Sequence, residues 1–249
     1  MMASNHWEFE RRLIAMRYLI VVALLCCLGT ESEAETRFRP ANFDIADTER
    51  RLYNLIKWPK DVKGKTSLIL TCFGVIKANG KMEVPNCIAP NSFEKVFTAE
   101  IMKASKKARL NPAIINGKSK SVYLQFRVEF NAEVIKKEVQ HSIDIHLNPG
   151  YEENVKAYGD DHIAGQRAIT KKQPFRDACP KRARYVVWVL AYLGETGKAE
   201  NARVEHSDGI MPTETCREAL RQTVNSSQFT PAMAGGVAVP STFVELFSN

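Results

Sequence analysis

Gln228-Phe229-Thr230-Pro231-Ala232-Met233-Ala234-Gly235-Gly236 has a counterpart upstream, Arg109-Leu110-Asn111-Pro112-Ala113-Ile114-Ile115-Asn116-Gly117. Both read as a large apolar residue, one spacer, Pro-Ala and a glycine turn. About thirty residues before each lies an apolar run closed by a second glycine turn. These are Leu68-Ile69-Leu70 leading to Asn79-Gly80-Lys81, and Val186-Val187-Trp188-Val189-Leu190 leading to Thr196-Gly197-Lys198. The turn glycines are 117 residues apart and the Pro-Ala pairs 119 apart, so the two copies agree within a two-residue insertion. The pattern predicts a duplicated module, and fixes where each strand and helix must fall.

Around the Pro-Ala stretches the elements follow from periodicity. In the first copy a strand is expected over Thr66 to Val75 and another over Lys81 to Val84. A helix opens at the capping-box spacing Asn91-Ser92-Phe93-Glu94. Phe93, Val96, Phe97, Ile101, Ala104 and Ala108 recur at 3–4 spacing and define its buried face. Pro112 forbids its continuation. Strict alternation predicts a strand over Ser121 to Phe130 and a further strand over residues 141–147. In the second copy, strands are expected over Arg184 to Leu193, Ala199 to His206 and Ser241 to Phe247. The near-continuous apolar character of the first of these suggests burial on both faces. Thr215 and Glu218 have the spacing of another capping box, opening a helix that buries Cys216, Ala219, Leu220, Thr223 and Val224. Ahead of both copies, a short helix is expected around Ile45 to Ile56, ended by Trp58-Pro59. The fold class is therefore α+β: two tandem strand-strand-helix-strand modules, each a short antiparallel sheet covered by one helix.

The N-terminus addresses the compartment. Arg11-Arg12 and Arg17 precede the apolar run Tyr18 to Leu28, and Ser32-Glu33-Ala34 follows with small residues at the cleavage-site positions. Basic, apolar and small-residue regions in that order describe a secretory signal peptide. Eleven apolar residues are short of the roughly twenty that span a bilayer. Counting from Leu13 lengthens the run, across Arg17, and keeps an uncleaved anchor open. The segments are thus 1–34, signal peptide or anchor; 35–56, a polar lead-in; 57–147, the first module; 148–178, a Gly-, Asp- and Lys-rich linker; and 179–249, the second module.

Beyond residue 34 four cysteines remain, Cys72, Cys87, Cys179 and Cys216, and an even number in an exported chain implies disulfides. With a two-residue turn at Asn79-Gly80, opposed residues sum to 159, which sets Cys72 against Cys87 within disulfide reach. Pro85 pulls the other way, because it lacks a ladder donor two residues from Cys87. Cys179 with Cys216 follows by elimination. The net charge of +7 suits an anionic partner. An exported compartment argues against nucleic acid as that partner.

In its order of parts the chain resembles the TonB C-terminal-domain family, over both modules. The second copy carries the resemblance on Gly197 to Ser207, Glu218-Ala219-Leu220-Arg221-Gln222 and Phe229-Thr230-Pro231-Ala232. The Tyr-Pro that opens the family's domain corresponds to Trp58-Pro59 in the first copy and Cys179-Pro180 in the second. The resemblance implies a periplasmic module that pairs an extended receptor peptide with an exposed strand edge. The candidate edge is Phe243-Val244-Glu245-Leu246-Phe247, or Val122 to Phe130 in the first copy; the alternative is that these strands line the core or pair with each other. The partner so implied is an envelope protein or receptor peptide; the basic charge admits an anionic envelope polymer as well. Family members that transduce energy also carry a full membrane helix with a polar contact residue and a long proline-rich spacer. This chain has neither, so an anchored transducer with a shortened spacer is the second reading. A mature N-terminus at Glu35 would exclude it.

An enzyme needs converging nucleophiles, bases or metal ligands. His141, His146, His162 and His206 have no metalloprotease spacing, and no serine sits in a Gly-x-Ser-x-Gly elbow. Asp144 and His146 share one strand face but lack a third ligand. The cysteines form no Cys-x-x-Cys redox pair. No catalysis, cofactor or metal is expected.

Overall fold

The first hairpin shows how local chemistry sets register. A computed structural model describes residues 37–249 apart from 90, 137, 149, 171–172, 181–184 and 249. The export segment expected over residues 1–34 therefore lies outside the described residues. Phe38–Arg39 forms β1, a single turn of 3₁₀ helix covers Thr48–Arg50, and α1 spans only Leu52–Leu55. The longer helix expected over Ile45 to Ile56 is interrupted because Arg51 is extended, its Nε donating to Ile45 O. β2 (Thr66–Ile76) and β3 (Met82–Cys87) then pair antiparallel. Their turn has three residues, not two: Gly80 N donates to Lys77 O and Lys77 N to Lys81 O, with Gly80 at φ 78°. That shifts the register by one, and a bulge at Val84 and Pro85 opposite Gly74 shifts it back. Cys72 therefore does face Cys87, and the proline without a donor sits where the ladder is broken.

α2 (Ser92–Ser105) starts as expected, with the Asn91 side chain accepting from Glu94 N at 2.9 Å and donating to Glu94 Oε1. Its buried face is Phe97, Ile101, Ala104 and Ser105; Phe93 and Val96, expected on that face, are largely exposed. β4 (Ala113–Ile115) and β5 (Lys118–Lys120) make a small hairpin around Asn116-Gly117. β6 (Val122–Ile135) and β7 (Glu138–Leu147) then form a long regular hairpin, extending well past the predicted ends of both strands. The first sheet has the order β3-β2-β6-β7, and α2 covers the face that carries Leu70, Cys72, Phe126, Val128 and Phe130. Trp58 closes that core, edge-on to Phe97 and Phe130 and stacked on His141 at 4.1 Å.

Residues 148–178, read from composition as a linker, contain α3 (Glu152–Tyr158), β8 (Gln166–Arg167) and α4 (Phe175–Ala178). Gln166 and Arg167 are buried. β9 (Tyr185–Leu193) and β10 (Ala199–Gly209) follow, then α5 (Glu214–Asn225). Thr213, not Thr215, caps α5, its hydroxyl accepting from Cys216 N. β11 (Phe229–Thr230) pairs with β8, β12 (Ala232–Ala234) with β13 (Val237–Val239), and β14 (Ser241–Ser248) with β9. The second sheet has the order β10-β9-β14, and its core joins Val187, Val189, Leu193, Leu220, Val224 and Phe229.

Several details recur in both halves at the spacing of the sequence repeat. Gly194 N donates to Lys198 O as Lys77 N does to Lys81 O, and Gly197 N donates to Gly194 O as Gly80 N does to Lys77 O. Asn201, 117 residues after Val84, bulges at φ 56° as Val84 does at 48°. A Cβ on Gly80 would stand 2.2 Å from Leu110 O, and one on Gly197 2.4 Å from Phe229 O. The architecture is α+β, with antiparallel sheets and helices. Both expected disulfides form, Cys72–Cys87 and Cys179–Cys216. Among the described residues no helix is long and apolar enough to cross a membrane.

Candidate functional site: sheet edges and the cleft between the sheets

A sheet edge can accept a partner only where its outward N–H and C=O groups are unblocked. β3 is blunted by the Val84 bulge and Pro85. β10 breaks register twice, and the Asn225 side chain accepts from Ala202 N at one break. β14, which holds the expected edge residues, pairs on one side only, with β9. Its outer side is engaged by amide side chains that imitate a neighbouring peptide. Asn154 Nδ2 donates to Thr242 O while Asn154 Oδ1 accepts from Thr242 N, at 2.8 and 2.9 Å. Gln125 Nε2 donates to Val244 O. Of the expected edge side chains, Phe243 and Phe247 lie in the core, and Leu246 is half-buried. Glu245 is buried against Arg167 through two hydrogen bonds of 2.6 Å. The other expected edge, Val122 to Phe130, is no edge, because β6 lies between β2 and β7.

β7 has none of these devices. Its ten residues pair with β6 without a register shift, and the next bond beyond it, Asn148 N to Gln125 O, fixes the phase of the ladder. In that phase Val139, His141, Ile143, Ile145 and Leu147 turn their N–H and C=O away from β6. Among the described residues no hydrogen bond reaches that outer row. Val134, Ile135 and Val139 at the hairpin's far end expose apolar side chains.

The outer faces of the two sheets meet across a cleft. Thr71, Gln125 and Arg127 line one wall, and Trp188, Leu190, Glu205 and Val244 the other; Asn148, Tyr151 and Glu152 close one side. Its volume is about 340 Å³. This explains the apolar β9: one face lies under α5, while Trp188 and Leu190 of the other face the first sheet. Next to the cleft, Tyr123 lines a smaller cavity and buries its hydroxyl near the Arg167–Glu245 pair. Burial pushes its phenol well above the ordinary value, with the Glu245 charge adding and Arg167 opposing. Arg167 also lies over the Phe247 ring, 5.4 Å from its centroid.

Asp144 and His146 are both exposed on β7; among the described residues no three His, Cys, Asp or Glu side chains converge as metal ligands. Sequence reading passed over Arg127, Gln125 and Arg167. The only signal was a long or charged side chain at a period-2 position, which also describes any solvated strand face. No protein-family model, curated protein or solved structure matches the chain.

Proposed function

We propose that this chain is an exported protein-interaction module of the TonB C-terminal type, built from two tandem copies, which takes an extended segment of an envelope protein onto a sheet edge. The observation that carries this reading is the outer edge of β7, left regular and open where the other three sheet edges are bulged, proline-blocked or capped by side-chain amides. An added strand would gain main-chain hydrogen bonds along Val139 to Leu147, with its specificity set by alternate side chains against Val134, Val139 and Ile143. The tandem-copy part of the reading is supported by the matching strand order and by the recurrence of turn, bulge and glycine contacts at the sequence spacing. Two disulfides fit an oxidising compartment. The basic charge would steer acidic partners, with an affinity that falls as salt rises.

The test is hydrogen exchange on the purified full chain, alone and with a cell-envelope extract or a receptor-derived peptide that it retains. The outward amides of Val139, His141, Ile143 and Ile145 should exchange quickly in the free protein and become protected in the complex. Ile143→Pro removes an outward donor without removing a β6 bond, and should abolish retention. A complex that leaves these amides unprotected would sink the assignment of the edge, and retention of nothing from the envelope would sink the binding role itself.

A further inference from the structure

Arg127 is a half-buried guanidinium with no ion-pair partner among the described residues, although Thr71, His146 and Glu129 surround it on the sheet face. It lines both the cleft of about 340 Å³ between the sheets and an adjoining cavity of similar size, and Glu152 lines both with it. Glu152 is tied only to Lys156, by an exposed pair of the kind that contributes little and exchanges readily. Opposite Arg127 stand the apolar side chains of Trp188, Leu190 and Val244, with the Glu205 carboxylate beside them held by Arg203 at 3.1 Å. The Trp188 indole N–H has no hydrogen-bond partner among the described residues. The neighbouring amides are not available to a ligand, because Gln125 is held by Asn148 and Val244 O.

A planar fork of donors, a carboxylate near it and an apolar wall across a small cavity form a recognisable set. The guanidinium binds a carboxylate through paired hydrogen bonds. Glu152, and Asp160 in the adjoining cavity, oppose a second negative charge and attract an ammonium. The wall receives a large apolar side chain, and a cavity of about 340 Å³ lies at the lower end of the range for small-molecule sites. We propose that the cleft between the two sheets is a binding site for a free apolar α-amino acid, its carboxylate on Arg127, its ammonium toward Glu152 and its side chain on Trp188 and Leu190. This site is separate from the outer edge of β7 and stands whether or not that edge takes a strand.

The experiment is titration of the purified full chain with four probes, read by calorimetry and by the NMR shift of the Trp188 indole N–H. L-phenylalanine and L-leucine should bind and move that resonance. N-acetyl-L-phenylalanine, lacking the ammonium, should bind at least tenfold more weakly, and phenethylamine, lacking the carboxylate, should not bind. Arg127→Gln should weaken L-phenylalanine at least tenfold while leaving the melting temperature unchanged, and Arg127→Lys should recover part of the loss. If neither free amino acid binds, or if binding leaves the Trp188 resonance or the Arg127→Gln affinity unaltered, the site is wrong. Equal affinity for the acetylated probe would overturn the zwitterion assignment. Should Arg127→Gln fail to fold, the Trp188 shift and the probe series on the unaltered chain decide the matter alone.

Discussion

Glu245 illustrates how a residue's neighbours decide its role. Alternation on β14 makes it look like a solvent-facing charge available to a partner, yet it is buried against Arg167, a residue from the middle of the presumed linker. Two charges taken out of water stabilise a fold only when they satisfy each other, and removing one strands the other. Glu245→Ala should therefore lower stability by about 3–5 kcal/mol in denaturant unfolding. The paired replacement Arg167→Met with Glu245→Leu should restore most of that loss, because no buried charge is left over. Tyr123 beside the pair gives a pH signature. Its phenol is raised chiefly by burial, so the fold holds this proton more tightly than the unfolded chain does. Its contribution is then complete below about pH 10, the ordinary phenol value, and is lost as pH climbs toward the raised one. Stability measured from pH 9 to 12 should fall, and Tyr123→Phe should remove part of that fall. Tyr185, also raised by burial, contributes to what is left.

Hairpin turns and bulges were partly legible in the sequence, and the part that was not has a physical cause. Asn79-Gly80 announced a turn, and the cysteine spacing correctly set Cys72 opposite Cys87. The reasoning behind that pairing assumed a two-residue turn; the turn has three residues, and the bulge at Val84 compensates. A bulge leaves no mark in a pattern of period two unless a residue such as Pro85 flags it. Likewise the start of β7 was missed because Glu138 to Gln140 offers a single apolar residue, Val139, too few for alternation to act on. Gly80 and Gly197 test the turns directly. Each adopts positive φ, and each has a carbonyl where a Cβ would go, so Gly80→Ala or Gly197→Ala should cost at least about 1–3 kcal/mol. Gly117→Ala, with positive φ but open space, should cost less, and comparing the three melting temperatures separates strain from contact. Of the disulfides, Cys72–Cys87 closes 15 residues and Cys179–Cys216 closes 37. On chain-entropy grounds their removal as Ala pairs should cost about 3 and about 4 kcal/mol. A reversed order would mean that the reduced chain stays structured around one of them.

Two hydrophobic cores, one under each sheet, are joined across a seam that is mainly polar. The seam consists of Gln166, whose side chain bonds both N–H and C=O of Ala41 at 2.7 and 2.9 Å, of Gln125 on Val244 O, of Asn154 on Thr242, and of the Arg167–Glu245 pair. None of these contacts could be read from the repeat, because a repeat describes what the copies share and the seam is where they differ. A seam of this kind gives less free energy than either core but fixes the geometry of the cleft, since buried amides left without partners are costly. Melting of the intact protein followed by calorimetry should therefore show one transition, both halves unfolding together. Gln125→Ala with Gln166→Ala and Asn154→Ala removes the side-chain amides of the seam and touches neither core. That variant should split the endotherm in two, the higher peak close to the original midpoint. A single peak shifted downward as a whole would mean instead that the cores, rather than the seam, hold the two sheets in register with each other.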